Sequence, residues 1–437
     1  MTGLTDPGMI ARRGFDAGHA RFHFPRNCAP AKFRRRLAWL FLLPVLFLPN
    51  LGLGRETPFG TLEFSDYFIG FYLLLLWPAA RRTGRRRVER LEYLTGAFVT
   101  WAFLGAATVN LRYDYGADTH AMYFGLLKLA KLVLYGWAGF LTARALKDGG
   151  VRRLFHWSLL AVVVVLGVSL LVGPGKEAVG ELAAQGFKAN NSISVASAIL
   201  VSYVGGLLLS GYGSTQWRWA AAGAMPIGLA GSLVSGGRGG WLAVVGAAAY
   251  LLWRRGPRIS SIGLCLGFLL VGYLTYELSP DFGSRLRFTV GLDDTLSIAP
   301  SQAADRFAGI DRGNRPVGWL GEGQKLLDAP ILGTGFYHRG GLTTLDLYGS
   351  HNYFLQILLE TGVVGGVLML LVFWRMWQDA GSWGAPQALL TIPLRAAFVA
   401  AFVGGMGGEY FYGGIGLLVL FLVYAPAGGL PLMRAGR

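Results

Sequence analysis

The stretch YGSHNYFLQILLETG, residues 348–362, places His351 and Asn352 where a polar segment turns into a long apolar helix. The dipole of a helix disfavours the charged form of an imidazole at the helix N-terminus, so His351 would stay neutral near neutral pH. A neutral imidazole can take a proton from a hydroxyl group and so act as a general base. The two side chains could instead cap the helix by accepting hydrogen bonds from its exposed backbone amides.

Arginine side chains provide a second kind of chemistry. Arg238 lies in SLVSGGRGGWLAVV, a glycine-rich turn between two apolar runs, and Arg315 precedes a predicted helix in a long polar segment. The planar guanidinium group can hold a phosphate through two parallel hydrogen bonds. Arg238 could also be an interfacial anchor, and a single loop arginine is often only a solvated charge. Further candidates for substrate binding are Lys188, Asn190 and Asn191 in GFKANNSISVA, with Arg312 and Arg339 in the polar segment.

Charged residues also lie inside apolar runs. Lys128 and Lys131 share one helix face in KLAKLVLYG, and ionisable residues within a membrane-spanning helix are functional candidates by default. Lys128 could neutralise a lipid phosphate, whereas Lys131 could pair elsewhere in the bundle. Glu360 lies nine residues into its helix, about 13 Å from the start at 1.5 Å per residue. It could orient a basic residue or bond a neighbouring helix.

The apolar runs themselves predict the fold class. The chain of 437 residues is 53% hydrophobic and contains 65 glycines, with a mean hydropathy of +0.45. Runs of about 18 or more apolar residues match a hydrocarbon core of about 30 Å, and glycines allow such helices to pack closely. We therefore predict an all-α, polytopic membrane protein with about twelve transmembrane helices. The predicted spans are 37–53, 63–80, 91–110, 121–143, 154–173, 190–210, 217–235, 239–253, 259–278, 351–377, 393–409 and 411–426.

The basic residues predict the orientation. Most of the 40 Lys and Arg residues fall in the N-terminal tail and in alternate connecting segments, and such segments stay in the cytoplasm. Both termini are therefore predicted to be cytoplasmic. The predicted divisions are a basic tail (1–36), helices one to nine (37–278), a large outer loop (279–350) and helices ten to twelve (351–437). An amphipathic helix is expected in RPVGWLGEGQKLLDAP, within the outer loop.

The net charge of +16 arises largely from basic flanks such as KFRRRLAW and RRTGRRRVER. Such flanks hold helix ends against anionic lipid, so no nucleic-acid partner is expected. Cys28 and Cys265 are the two cysteines, and they lie in different predicted environments. No disulfide framework or thiolate metal site is indicated.

Three segments together resemble the O-antigen ligase and polymerase superfamily of bacterial glycosyltransferases. They are SGGRGGWLA (235–243), NRPVGWLGEGQKLLDAPILGTGF (314–336) and SHNYFLQILLETGVVGG (350–366), and the resemblance covers residues 186–370. Two departures are visible: FKANNS stands in place of the commoner Asn-Pro-Asn pattern, and Gly237 precedes Arg238. With this context, catalysis is favoured over capping for His351, and phosphate binding over anchoring for Arg238.

The resemblance implies a fold similar to that of other polytopic (GT-C-like) glycosyltransferases, and a metal-independent, inverting enzyme without a cofactor. Its donor would be a glycan on undecaprenyl diphosphate at the periplasmic face of the bacterial inner membrane. The acceptor would be a sugar hydroxyl on a glycan or on the lipid A core. Arg238 and Arg315 would stabilise the leaving diphosphate, and His351 would be the base. A polymerase of surface or secreted polysaccharide is favoured, the alternative being an O-antigen ligase, and chain-length regulators or export proteins are the expected protein partners.

Other classes of protein fit the sequence less well. Asp293, Asp294, Asp305 and Asp311 could suggest a divalent-cation site, but a hard cation needs several converging oxygens, and no Asp-x-Asp or Glu-x-Asp pair lies on an early outer loop. No metal is therefore predicted. A flippase or permease would also fit twelve helices with buried lysines, but no internal repeat and no paired broken helices are visible in the sequence. A non-catalytic scaffold is disfavoured by the histidine motif.

Overall fold

A computed structural model gives the architecture of the chain. It describes residues 54–57, 60–63, 69–71, 73–74, 90–112, 126–127, 129–139, 149–172, 189–234, 238–256, 258–278, 326–327, 329–335, 352–381 and 388–406. Within this part of the chain, a short β-hairpin is followed by eight long helices. The strands are β1 (Gly54–Thr57) and β2 (Gly60–Glu63). The helices are α1 (Arg90–Arg112), α2 (Gly149–Val172), α3 (Ala189–Leu209), α4 (Thr215–Val234), α5 (Arg238–Arg255), α6 (Ile259–Leu278), α7 (Tyr353–Gly381) and α8 (Ala388–Gly405).

The eight helices coincide with eight of the predicted spans, and the helical class is confirmed. The largest differences are at the starts of α2 and α8. Helix α2 begins at Gly149, so it includes polar residues that precede its apolar run. Helix α8 begins at Ala388 and runs through Pro393, where the predicted span began. The predicted spans 37–53 and 411–426 lie outside the described residues, and 63–80 and 121–143 are described only in part.

The hairpin is an addition to the predicted all-α class. Strands β1 and β2 pair antiparallel, with Gly54 opposite Glu63 and Thr57 opposite Gly60. Two residues join the strands, which is the connection length of a tight hairpin. The two strands are too short for an alternating pattern to be visible in the sequence.

Small residues bring the helices into close contact. A methyl group on Gly167 of α2 would lie 2.5 Å from the carbonyl oxygen of Ile227 in α4, and one on Gly228 would lie 2.6 Å from Val163 Cγ1. Gly206 of α3 packs on Pro393 of α8 in the same way. Glycine at these positions lets backbones approach, as is typical of helix contacts in membranes.

The helix α7 is long and apolar enough to cross a membrane by its length and composition. Four shorter apolar helical stretches, at Phe155–Val168, Ser194–Leu209, Ile262–Glu277 and Leu390–Gly405, accompany it in the described part of the chain. Leu266, Leu269 and Leu270 of α6 are each more than half exposed on the outside of the bundle. Apolar side chains in such a continuous exposed patch are suited to contact with lipid.

Candidate active site

Asn352 caps the helix α7. Its side-chain oxygen Oδ1 accepts hydrogen bonds from the backbone amides of Phe354, at 3.0 Å, and Leu355, at 3.2 Å. Its backbone oxygen accepts from the amide of Gln356 at 2.9 Å. Asn352 therefore caps the helix, as the alternative interpretation of the sequence predicted. Its oxygen atoms pair amides that a helix start would otherwise leave without a partner.

Arg238 is the first residue of α5, and the structure describes its backbone only. The indole nitrogen Nε1 of Trp241, in the first turn of α5, donates to the carbonyl oxygen of Leu233 at 3.2 Å, near the end of α4. This bond joins the two helices across the glycine-rich turn. Arg238 therefore lies at a helix N-terminus, where the partial positive charge of the helix adds to that of the side chain.

Two serines bring the start of α3 to the same turn. Ser194 Oγ donates to the carbonyl oxygen of Ser232 at 2.9 Å, and Ser232 Oγ donates to the carbonyl oxygen of Ser194 at 2.9 Å. Asn190 and Asn191 lie in the first turn of α3, about one helical turn before Ser194. The start of α3 therefore lies against the end of α4, which precedes Arg238 in the sequence.

The end of α8 contacts all three helix starts that carry candidate residues. The ring of Phe402 lies 4.5 Å, centroid to centroid, from the ring of Phe354 in the first turn of α7. A methyl group on Gly404 would lie 2.8 Å from Val195 Cγ1 in α3 and 3.5 Å from the carbonyl oxygen of Gly239 in α5. The starts of α3, α5 and α7 therefore share one end of the bundle.

Helix α7 is broken at Gly362, whose φ of 67° and ψ of −175° are not helical. The break divides α7 into the half-helix Tyr353–Thr361 and a second part that continues to Gly381. The sequence shows no paired broken helices, and a single break in α7 does not contradict that.

The segment Pro330–Gly335 satisfies the backbone groups that this break frees. The amide of Thr334 donates to the carbonyl oxygen of Leu359 at 2.8 Å, and the amide of Gly335 donates to that of Glu360 at 3.1 Å. In return, the amide of Val363 donates to the carbonyl oxygen of Pro330 at 2.8 Å. The hydroxyl Oγ1 of Thr334 adds a contact of 3.2 Å to the carbonyl oxygen of Leu359.

Trp101 of α1 completes this contact. Its indole nitrogen Nε1 donates to the carbonyl oxygen of Thr361 at 2.9 Å. One turn further along α1, a methyl group on Gly105 would lie 3.0 Å from the carbonyl oxygen of Leu332. Trp101 lies near the middle of α1, so the segment Pro330–Gly335, which the sequence assigned to the outer loop, reaches the middle of the bundle.

The described part of the predicted amphipathic loop helix consists of turns. Its residues 326–327 and 329–330 are in turn or bend conformation. Just beyond its end, Gly333 and Gly335 have positive φ values of 74° and 93°. Side chains rarely adopt such values, so glycine is suited to both positions. The earlier part of the predicted helix lies outside the described residues.

Glu360 is buried at 5% exposure and accepts a hydrogen bond of 2.7 Å at Oε1 from Nε2 of Gln356, in the same helix. The sequence had suggested a basic residue or a neighbouring helix as its partner. The carboxylate lies two residues before the break and so belongs to the half-helix Tyr353–Thr361. Lys131 is buried at 8% exposure.

The remaining predicted site residues lie outside the described part of the chain. They are His351, Arg315, Arg312, Arg339, Lys188 and Lys128. Of Asn190 and Asn191 the backbone is described, as it is for Arg238. Among the described residues no three His, Cys, Asp or Glu side chains lie together as a metal site would require, and the acids of residues 293–311 are outside that set.

Trp101 and Thr334 were missed in the sequence. The glycines around Thr334, in ILGTGF, and Gly362, in LLETGVVGG, belong to the segments that carry the resemblance, so a glycine-based backbone contact could have been suspected there. Trp101 lies in an ordinary apolar run and has no local signal.

The bundle of apolar helices, with apolar side chains exposed on its outside, is of the kind found in helical membrane proteins, and the starts of α3, α5 and α7 share one end of it. Residues 223–370 match the family model described as O-antigen ligase. The resemblance to the O-antigen ligase and polymerase superfamily is thereby confirmed over this segment. The chain carries a domain of that superfamily, and this match supports a membrane glycosyltransferase of polysaccharide biosynthesis, of the ligase or polymerase type. A comparison with curated proteins found no match.

Proposed function

We propose that this protein is a polymerase of a surface or secreted polysaccharide. It transfers a glycan from undecaprenyl diphosphate to a sugar hydroxyl on a second glycan, at the periplasmic face of the bacterial inner membrane. The observation that supports this most directly is the contact of the end of α8 with the starts of α3, α5 and α7. Those three starts belong to the segments that carry Asn190 and Asn191, Arg238, and His351.

The proposed reaction is a single displacement at the anomeric carbon. His351 takes the proton of the acceptor hydroxyl, and the hydroxyl oxygen attacks the carbon from the face opposite the diphosphate. The bond between that carbon and the diphosphate oxygen breaks, and undecaprenyl diphosphate leaves with the electron pair. The anomeric configuration is inverted.

Positive charge stabilises the departing diphosphate in this proposal. Arg238, at the N-terminus of α5, acts together with Arg315, and no metal ion takes part. Fixed charges of this kind, aimed at the position where negative charge develops, give the largest single contribution in many enzymes. The remaining substrate-binding positions proposed are Asn352, Lys188, Asn190, Asn191, Arg312, Arg339, Lys128 and Glu360.

The test compares two histidines. The full-length variants His351→Ala and His338→Ala are purified, reconstituted in lipid, and supplied with undecaprenyl-diphosphate-linked oligosaccharide extracted from the source cells. A positioned general base contributes about 10²- to 10⁴-fold, so turnover of His351→Ala should fall by that factor while donor binding is retained. His338→Ala should be close to the unmodified protein. Equal tolerance of both changes would mean that His351 is not the base, and a loss confined to His338→Ala would move the base into the loop.

A ligase is the second candidate, and the description of the matching family favours it. A ligase would move a finished glycan from undecaprenyl diphosphate to the lipid A core. Offering the same donor with either lipid A core or a second lipid-linked glycan separates the two functions. Longer lipid-linked chains indicate a polymerase, whereas glycan on lipid A core indicates a ligase.

A further inference from the structure

We propose that the segment Pro330–Gly335 and the side chain of Trp101 form a loop–helix clamp that positions His351. The clamp fixes the half-helix Tyr353–Thr361, and Trp101 and Thr334 are positioning residues for the reaction. This inference rests on the proposed function, because it takes His351 as the base.

The break at Gly362 makes the clamp necessary. In an unbroken helix the carbonyl oxygens of Leu359, Glu360 and Thr361 would accept hydrogen bonds from residues four positions ahead. The clamp supplies substitutes from two other parts of the chain: Thr334 and Gly335 from the loop, and Trp101 from α1. A backbone carbonyl without a partner is costly in the interior of a membrane protein, so the three bonds hold the half-helix to the clamp.

The half-helix is short enough to transmit its position to the active end. Tyr353–Thr361 has nine residues and is therefore about 14 Å long. Asn352 caps its start with two side-chain hydrogen bonds, and His351 directly precedes Asn352 in the sequence. A rotation of the half-helix about Gly362 would displace His351 relative to residues on other helices.

The clamp also connects the motif segment that contains Arg315 with the motif segment that contains His351. Arg315 is carried by the same loop, fifteen residues before Pro330, whereas His351 is carried by α7. The bonds from Thr334 and Gly335 to the half-helix fix this part of the loop against α7. Catalytic geometry therefore depends on groups that touch neither donor nor acceptor, and a misplacement of about 1 Å can lower a rate by about 10²-fold.

The test uses the full-length protein reconstituted in lipid, with undecaprenyl-diphosphate-linked oligosaccharide from the source cells as the donor. Trp101→Phe keeps the apolar ring and removes the donor to Thr361. We expect kcat to fall by about 10- to 100-fold, while the dissociation constant of the donor changes less than about twofold. Trp219→Phe is the matched control, because Trp219 is 76% exposed on α4, and it should leave kcat unchanged.

A second pair of variants probes the loop side of the clamp. Thr334→Val removes the hydroxyl that contacts Leu359, whereas Thr334→Ser retains it. We expect Thr334→Val to lower kcat and Thr334→Ser to restore it. Thr108→Val is the control, because the Thr108 hydroxyl bonds only carbonyls of its own helix in the described structure. Hydrogen exchange of the amides of Thr334 and Val363 should become faster in Trp101→Phe.

Each outcome decides the inference. Faster exchange with unchanged kcat would show that the clamp is a structural contact without a positioning function. If the donor dissociation constant rises by the same factor as kcat falls, the clamp contributes to donor binding and does not position His351. Unchanged exchange would show that the indole bond does not hold the clamp. If His351→Ala retains full activity while Trp101→Phe loses it, the proposed function fails at the base, and the clamp positions a group other than His351.

Discussion

Gly333 and Gly362 face each other across the contact between the segment Pro330–Gly335 and α7. Both have positive φ, 74° and 67°. A methyl group on Gly362 would lie 2.7 Å from the amide nitrogen of Gly333, and one on Gly333 would lie 2.5 Å from the amide nitrogen of Gly362. Neither backbone could approach the other with a side chain at either position, so the two glycines are required together.

Replacing Gly362 by alanine should therefore destabilise the protein. The positive φ alone costs about 1–3 kcal/mol for a residue with a side chain, and the added methyl group also meets the carbonyl oxygen of Ile331. We expect a lower thermal unfolding midpoint in detergent for Gly362→Ala. Gly267→Ala on α6 is the control, because a methyl group there meets nothing within 4 Å, and its midpoint should be unchanged or slightly higher. Equal midpoints for the two variants would contradict the close contact at Gly362.

Substitutions of Asn352 separate its capping function from substrate binding. Asn352→Asp keeps an oxygen acceptor for the amides of Phe354 and Leu355, whereas Asn352→Ala removes it. Loss of a cap costs about 0.5–2 kcal/mol, so the unfolding midpoint should fall for Asn352→Ala and not for Asn352→Asp. Turnover should fall for Asn352→Asp if the side-chain amide also donates to the diphosphate, because a carboxylate would repel that group. Full activity of Asn352→Asp would leave capping as its function.

Arg238 is expected to act through the shape of its guanidinium group. Arg238→Ala should lose turnover, and Arg238→Lys should restore it poorly, because an ammonium group cannot reproduce two parallel hydrogen bonds. The measurement is turnover of lipid-linked donor by equal amounts of folded protein. Arg258→Lys is the control, since Arg258 is exposed just before α6, at the end of the bundle away from Arg238. Complete rescue by lysine would reduce the contribution of Arg238 to its charge alone.

The proposed chemistry needs no metal ion. The purified protein should therefore transfer glycan at an unchanged rate in excess EDTA, because the arginines carry the charge stabilisation. The rate is compared before and after chelation, and again after magnesium or manganese is returned. Activity that disappears and then returns with either metal would direct attention to Asp293, Asp294 and Asp311.

The proposed orientation is tested by labelling. In a variant with Cys28 and Cys265 replaced by serine, a cysteine at Thr343 should react with an impermeant maleimide in intact spheroplasts, and a cysteine at Thr83 should not. The distribution of Lys and Arg predicts this outcome, because basic connecting segments stay in the cytoplasm. The reverse labelling pattern would place the candidate site on the cytoplasmic face.

The positions of the helices could be predicted because apolar runs are a local property. Helices α3, α4, α5 and α6 begin and end within two residues of the predicted spans. The three motif segments, including the turn before Arg238 and the start of α7, were visible for the same reason, since each is a short contiguous pattern. Their correspondence with the superfamily was confirmed by the match over residues 223–370.

The partners of these segments could not be predicted. The sequence contains Gly362 and Trp101 but does not state that the indole of Trp101 bonds the carbonyl oxygen of Thr361 beside the break, 260 residues away from Trp101. The sequence likewise does not state that the side-chain oxygen of Asn352 accepts from two amides of its own helix, or that Gln356 donates to Glu360. A backbone group freed by a break must find a donor or acceptor wherever the packed bundle brings one, and that choice is made only when the helices and the loop come together.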